Sequence, residues 1–247
     1  MIKRRALIIA SPLTGTEDYL PGVQQDVQNM MKFLLSAAGG AWRSNEISIW
    51  EEPPLKLLQN IPKYFRDAEI SLIVFSGHGY MNGGKNYICI NKKHSISLDR
   101  LATKSKREVM IIDACRTERM IDHFDGIGAI DFEFDSKNRL YSRRLMDKLI
   151  SKSSKGRNLV LSASPDEEAI DTDSGGAFTV SLMQSILHWY EESMSPVLTM
   201  RDLFRMSKRR LHTSGGQQTP QHLVSTRYPD AKNIPFAINP NVKFHQF

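Results

Sequence analysis

Short apolar runs without alternation recur along the chain, separated by stretches in which apolar positions return every three or four residues. Residues 6–10, 46–50, 70–75, 109–112, 158–163 and 234–238 read as strands. In Leu72-Ile73-Val74-Phe75 and Val109-Met110-Ile111-Ile112 every position is apolar, which predicts strands covered on both faces. Val23, Val27, Met30, Met31, Leu34 and Leu35 keep a helical period between the first two strands, and Leu55, Leu58, Ile61, Tyr64 and Phe65 do so before the third. Further helices are predicted over 140–150, 177–192 and 199–212. The order is βαβαβ followed by βαβ, with no internal repeat and no linker. It predicts one α/β domain over residues 1–247, with a central, mostly parallel six-stranded sheet and helices on both faces.

Two segments break the pattern: 118–138, rich in acidic residues and Gly, and 214–230, rich in Gly, Gln and Pro. Long irregular loops are functional or mobile. The longest apolar runs have about 5 residues against the ~20 a membrane span needs, so no membrane partner is expected. The start, Met1 to Arg5 followed by the apolar residues 6–10, mimics a leader peptide, but the apolar part is short and Glu17-Asp18 soon follow, which favours a first strand.

Charge changes the picture little. Lys and Arg number 33 and Asp and Glu 27, a formal +6 over 247 residues. The basic residues are scattered over 3–5, 104–107, 143–144, 152–157 and 208–210, and acidic clusters at 122–135 and 166–173 interrupt them. Such a pattern reads as solvated helix faces and argues against a nucleic-acid partner. A chain of this length with 40% hydrophobic residues can bury a core without a metal or a disulfide framework. Two cysteines, Cys89 and Cys115, without metal-type spacing or a secretory signal, point to a reducing compartment and a cytoplasmic location.

In an open parallel sheet the ligand site lies at the carboxyl ends of the strands. After Phe75 comes Ser76-Gly77-His78-Gly79, and after Ile112 comes Asp113-Ala114-Cys115-Arg116. A histidine and a cysteine thus end two strands that are candidates for neighbours. A thiol needs a base or a nearby cation to raise its thiolate fraction at neutral pH, and an imidazole can polarise it and later protonate a leaving amine. The glycines around His78 allow close substrate approach, and the Gly79 N–H with that of Cys115 could form an oxyanion hole.

Taken singly, each residue has a plainer explanation, His78 as a satisfied strand-end histidine and Cys115 as a small buried hydrophobe. Cys89, inside Tyr87-Ile88-Cys89-Ile90, fits the plainer one well. His94, His123, His188, His212, His222 and His245 show no ligand spacing, so no metal site and no cofactor are expected. Gly79 to Lys85 formally matches a phosphate-binding loop. However, Asn86 stands where Ser or Thr is needed, and a strand follows where a helix should begin, so Asn82-Gly83-Gly84 reads as a hairpin turn. No G-x-S-x-G elbow is present.

With these motifs in hand, the chain resembles the caspase-like cysteine peptidases, closest to the metacaspase and bacterial caspase-homologue branch. The likeness rests on the His78 and Cys115 motifs and on four further segments in the expected order. These are Leu20-Pro21-Gly22 to Asp26, Leu161-Ser162-Ala163-Ser164 with Glu168-Ala169, Gly176-Ala177-Phe178-Thr179, and Gln218-Thr219-Pro220-Gln221. The resemblance implies a caspase-like fold and a cysteine endopeptidase acting through a His78/Cys115 dyad and a thioester. It also implies a pocket for a basic side chain, lined by Asp26 in the early loop, Ser76 and Asp113. True caspases hold a substrate aspartate with an early-loop arginine, and residues 14–23 contain none, so cleavage after Arg or Lys of a protein or peptide substrate is expected.

Arg116-Thr117-Glu118 departs from the small-residue turn common after the metacaspase cysteine. Asp122, Asp125, Asp131, Glu133 and Asp135 could supply oxygens for the calcium that many metacaspases need. They lack EF-hand spacing, so a solvated acidic loop is preferred. Lys137, Arg139, Arg143, Arg144, Lys152, Lys155 and Arg157 lie where related enzymes cleave themselves, an expectation of autoprocessing. Little length is left for an appended recognition domain, so a separate activator or regulatory protein is expected, as in bacterial defence or cell-death systems. The alternatives are a catalytically silent caspase-like scaffold or interaction protein, and a basic nucleic-acid-binding protein.

Overall fold

The computed structural model describes residues 2–116, 138–214 and 218–242. β1 (Arg4–Ser11) leads through α1 (Gly22–Leu35) to β2 (Ile47–Glu51), and the one-turn helices α2 (Leu55–Leu58) and α3 (Ile61–Tyr64) precede β3 (Ile70–Gly77). β4 (Gly79–Asn82), β5 (Lys85–Asn91) and β6 (His94–Ser97) form a small antiparallel sheet ahead of β7 (Arg107–Asp113). Then come α4 (Arg139–Lys152), β8 (Gly156–Leu161), the short pair β9 (Asp171–Thr172) and β10 (Gly175–Gly176), and α5 (Ala177–Glu192). β11 (Val197–Thr199), α6 (Met200–Thr213), β12 (Gln221–Val224) and β13 (Pro235–Ile238) complete the order.

Six strands make the main sheet in the order β12-β8-β7-β3-β1-β2. Five run parallel and β12 is antiparallel to β8. β3 and β7 are buried along their whole lengths; the apolar runs 72–75 and 109–112 fill their middles, while the buried polar residues at their starts, Ser71, Arg107 and Glu108, are hydrogen-bonded. The period of two sends alternate residues into two cores. Ile8, Leu72, Val74, Val109, Ile111 and Val160 face α1, α4 and α5, while Leu7, Ile9, Ile73, Phe75, Met110 and Ile112 face α2, α3 and the hairpin β4–β5. Ile111 and Phe75 are fully buried, so truncating either to Ala costs about 2–5 kcal/mol.

Three sequence expectations change. The period over 55–65 suggests one helix, but Pro62 lacks the N–H that a helix interior needs and its ring clashes with the carbonyl four residues back. The chain therefore starts a second helix at Ile61. Residues 234–238 were expected in the main sheet. β13 instead pairs antiparallel with β11 in a separate ribbon. The sixth strand of the main sheet is β12, within the segment read as irregular. It is an edge strand with one covered face, Leu223 is 49% exposed, and its sequence therefore carries no apolar run. Asn82-Gly83-Gly84 does turn the β4–β5 hairpin, with φ +56° and +74° at the two glycines. No helix among the described residues is long and apolar enough to cross a membrane.

Candidate active site

β3 and β7 are adjacent and parallel, and their register pairs Ser76 with Asp113. His78 and Cys115 each follow two residues later, so both leave the sheet at the same carboxyl rim. The backbones converge there: a Cβ on Gly79 would come within 2.9 Å of the Cys115 carbonyl oxygen and of the Ala114 Cβ. Gly79 is the residue type that allows this approach.

Neither reactive group is free. The Cys115 thiol is 4% exposed and accepts a hydrogen bond from the Ala169 backbone N–H at 3.2 Å, while its S–H reaches the Ala169 carbonyl at 3.4 Å. Burial pushes the thiol up to about 12, and the charges of Glu168, Asp113 and Asp171 add to the rise against the Ala169 hydrogen bond. His78 is half-buried, with Nε2 at 2.6 Å from the carbonyl oxygen of Asp18. A carbonyl only accepts, so Nε2 carries the proton and Nδ1 is left to accept one. The space beside Cys115, lined by Leu20, Ser76, Asp113, Ala169, Ile170 and Asp171, has a volume of only about 20 Å³.

Of the three residues expected to hold a basic side chain, Ser76 and Asp113 line that space and Asp26 stands behind Ser76. Asp26 sits inside α1 rather than in the preceding loop. Asp26, Ser76 and Asp113 are all buried, at 2%, 4% and 5% exposure. Ser76 Oγ donates to Asp26 Oδ2 at 2.6 Å, and the Gly176 N–H donates to the same carboxylate at 3.1 and 3.2 Å. Asp113 accepts from the Thr179 N–H at 2.9 Å and its hydroxyl at 2.7 Å. Among the described residues neither carboxylate is ion-paired. Burial raises Asp26 well above the usual carboxylate range, and the neighbouring Asp113 adds to this against the Ser76 and Gly176 hydrogen bonds. Burial raises Asp113 too, opposed by its bonds to Thr179. Asp171 is a third nearby carboxylate that sequence reasoning did not assign; it raises both Asp26 and Cys115.

Other residues that shape the site left no compositional signal. Glu167 Oε2 accepts from the N–H groups of Ser164 and Thr219 at 2.9 and 2.6 Å, and the Glu167 carbonyl accepts from the Arg116 N–H at 2.9 Å. Gln218 bridges the Ile170 N–H and the Ser162 carbonyl. Arg116, after the thiol, donates to Asn86 Oδ1, the Ala163 carbonyl and Gln221 Oε1 at 2.8, 3.0 and 2.6 Å. These bonds tie the segment over Cys115 to the surrounding strands, and four of them, from Ser164, Thr219, Arg116 and Ile170, come from backbone N–H groups that any residue but proline supplies.

The calcium candidates Asp122, Asp125, Asp131, Glu133 and Asp135, and Lys137, lie outside the described residues. Among the described residues no His, Cys, Asp and Glu side chains group to hold a metal ion. Arg139, Arg143, Arg144 and Lys152 are wound into α4. Lys155 precedes β8 and Arg157 lies within it.

The structure superposes on the crystal structure of caspase-1 from Spodoptera frugiperda with a TM-score of 0.58 and 13% sequence identity, covering 92% of this chain and 89% of that one. At that identity the likeness speaks for the fold. No curated protein matches the sequence. The model of the caspase domain matches residues 3–230, nearly the whole chain, and by that match the protein belongs to the caspase domain family.

Proposed function

We propose that the chain is a cysteine endopeptidase that cleaves after Arg or Lys, with His78 and Cys115 as its dyad. The observation that carries the specificity is the buried pair Asp26 and Asp113, flanking Ser76 with no cation of its own among the described residues. Two buried carboxyl groups held this close are poorly stabilised as anions. A guanidinium or ammonium group entering between them supplies the missing counter-charge.

In the reaction, the imidazole of His78 takes the thiol proton and the Cys115 thiolate attacks the carbonyl carbon after the basic residue. The N–H groups of Gly79 and Cys115 stabilise the oxyanion. His78 then protonates the leaving amine as the C–N bond breaks, leaving a thioester, which a water molecule activated by the same imidazole hydrolyses. The conformation described is closed. Ala169 covers the sulfur, the Asp18 carbonyl holds His78, and about 20 Å³ beside the thiol does not admit an arginine side chain. The segment carrying Ala169 therefore withdraws before substrate enters, a step suited to a separate activating protein.

Fluorogenic peptides differing only in Arg, Lys or Asp before the scissile bond test the reading, with Cys115→Ala as control. Turnover of the basic peptides alone, lost in the variant, is expected. Faster cleavage of the Asp peptide overturns the pocket assignment, and equal turnover by Cys115→Ala overturns the dyad. The buried thiol is the observation that favours a silent scaffold, and that reading stands if no peptide is cleaved after Cys115 has been made accessible to alkylation.

A further inference from the structure

At the end of the main sheet opposite Cys115 lies an open cleft of about 380 Å³, within the size range of small-molecule sites. It is formed by the loop before β7, the turn into β8 and the chain after β12. Its lining includes four cations, Lys104, Lys106, Lys155 and Arg157, and one carboxylate, Glu108. β7 has seven residues, so the cleft stands roughly 23 Å from Cys115 and is independent of the peptidase reading.

The charges there are not mutually satisfied. Glu108 is buried and already neutralised by Arg157, and its other oxygen accepts from the N–H and hydroxyl of Thr103. Lys106 is held by Glu69 at 2.6 Å. Lys104 and Lys155 are exposed and, among the described residues, form no direct ion pair, though Lys155 lies near enough to Glu69 to help hold that carboxyl below its usual range. Lys104 is fixed in the left-handed region at φ +62°, a strained setting for a lysine. Between them, Ser105 Oγ is shielded from solvent yet has no hydrogen-bond partner. Four cations, offset only by Glu108 in the lining and by Glu69 beside Lys106 and Lys155, leave a net positive charge in one cleft and match an anion with several charges along a short chain, more than a single carboxylate offers.

We infer that this cleft binds a polyphosphate chain, free or as part of a small phosphorylated molecule, with Lys104 and Lys155 as its principal contacts. Titration calorimetry with inorganic tripolyphosphate, with a nucleoside triphosphate and with a short single-stranded RNA tests it on the whole chain. Saturable binding of the first two is expected, weakened roughly tenfold or more in the Lys104→Ala/Lys155→Ala double variant. It should be unchanged in a control carrying Lys56→Ala and Lys63→Ala on α2 and α3. Both substituted pairs are exposed, so folding is not at stake. Absent binding, equal weakening in the control, or affinity unchanged in the double variant overturns the proposal. So does binding of the nucleotide without tripolyphosphate, which moves recognition to the base, and binding of RNA alone, which makes the cleft a nucleic-acid contact.

Discussion

The sulfur of Cys115 accepts the Ala169 backbone N–H at 3.2 Å and lies 3.4 Å from the carbonyl of the same residue. One residue, through its own N–H and C=O, thus caps the sulfur from two sides. With the thiol near 12 in place of an ordinary 9.0, its thiolate fraction at pH 8 is about a thousandfold below that of an unfolded cysteine. In a Cys89→Ser background, iodoacetamide should modify Cys115 about that much more slowly in the native protein than in denaturant. Equal rates would show that the cap does not exist in solution.

In the proposed mechanism the cap is released through its tether. Glu167 bonds two backbone N–H groups on either side of the segment over the sulfur, and its own carbonyl holds Arg116. Glu167→Ala frees the Ser164 and Thr219 N–H groups and should raise the alkylation rate of Cys115 and the turnover of Arg peptides together, by roughly tenfold for a local opening made more favourable by ~1.4 kcal/mol. A variant that gains alkylation without turnover supports the silent scaffold.

The contrast between β3 and β12 shows what the sequence discloses. The runs 72–75 and 109–112 are legible because the middle of a strand covered on both faces is apolar, and the motifs His78 and Cys115 are found by reading just past their ends. β12 is half exposed at an edge, so Gln221-His222-Leu223-Val224 looks like loop. Asp26, Ser76 and Asp113 are reached through the family resemblance alone, since Asp26 and Ser76 stand 50 positions apart and meet only by tertiary folding. The Ala169 and Asp18 contacts come from backbone groups and have no side-chain signature at all.

If Asp26 holds the substrate's basic side chain as proposed, it sets function against stability. Its carboxyl is raised well above the ordinary 3.8, so between that value and its folded value the unfolded chain has released a proton that the native state keeps. Native stability from this group is complete below pH ~3.8 and is lost as pH rises through the folded value. Asp26→Asn keeps acceptor capacity toward Ser76 and Gly176 without the titration. The variant should therefore gain stability relative to wild type as pH rises from 4 to 7 in urea titrations, while Arg-peptide kcat/KM falls roughly tenfold or more. A stability difference independent of pH would remove the buried-charge argument.

Arg4 at the start of β1 anchors α4. Its guanidinium is fully buried, pairs with Asp147 at 2.7 Å and donates to the carbonyls of Gly40 and Arg143 at 2.8 and 3.0 Å. Removing one partner strands a buried charge. Asp147→Ala should cost about 3–5 kcal/mol, whereas Arg4→Met with Asp147→Leu should recover most of that loss. Thermal denaturation of both checks it. A double variant no better than the single would assign the stabilisation to the carbonyl contacts instead of the ion pair.

Arg116 links the turn carrying Cys115 to three other parts of the fold, through Asn86 on β5, Ala163 beyond β8 and Gln221 on β12. Burial lowers its affinity for the proton, only partly offset by Asp166 and Glu167, so the guanidinium is there for its geometry and not for an ion pair. A lysine carries the same charge as a point and cannot donate along three directions from a planar fork. Arg116→Lys should lower stability by about 2–4 kcal/mol, since buried acceptors lose partners. The turn carrying Cys115 then loses its fixed position while Asp26 and Asp113 keep theirs. Kinetics with the Arg peptide should therefore show a fall in kcat with KM little changed, and a rise in KM at constant kcat would place Arg116 in substrate binding instead of in positioning the thiol.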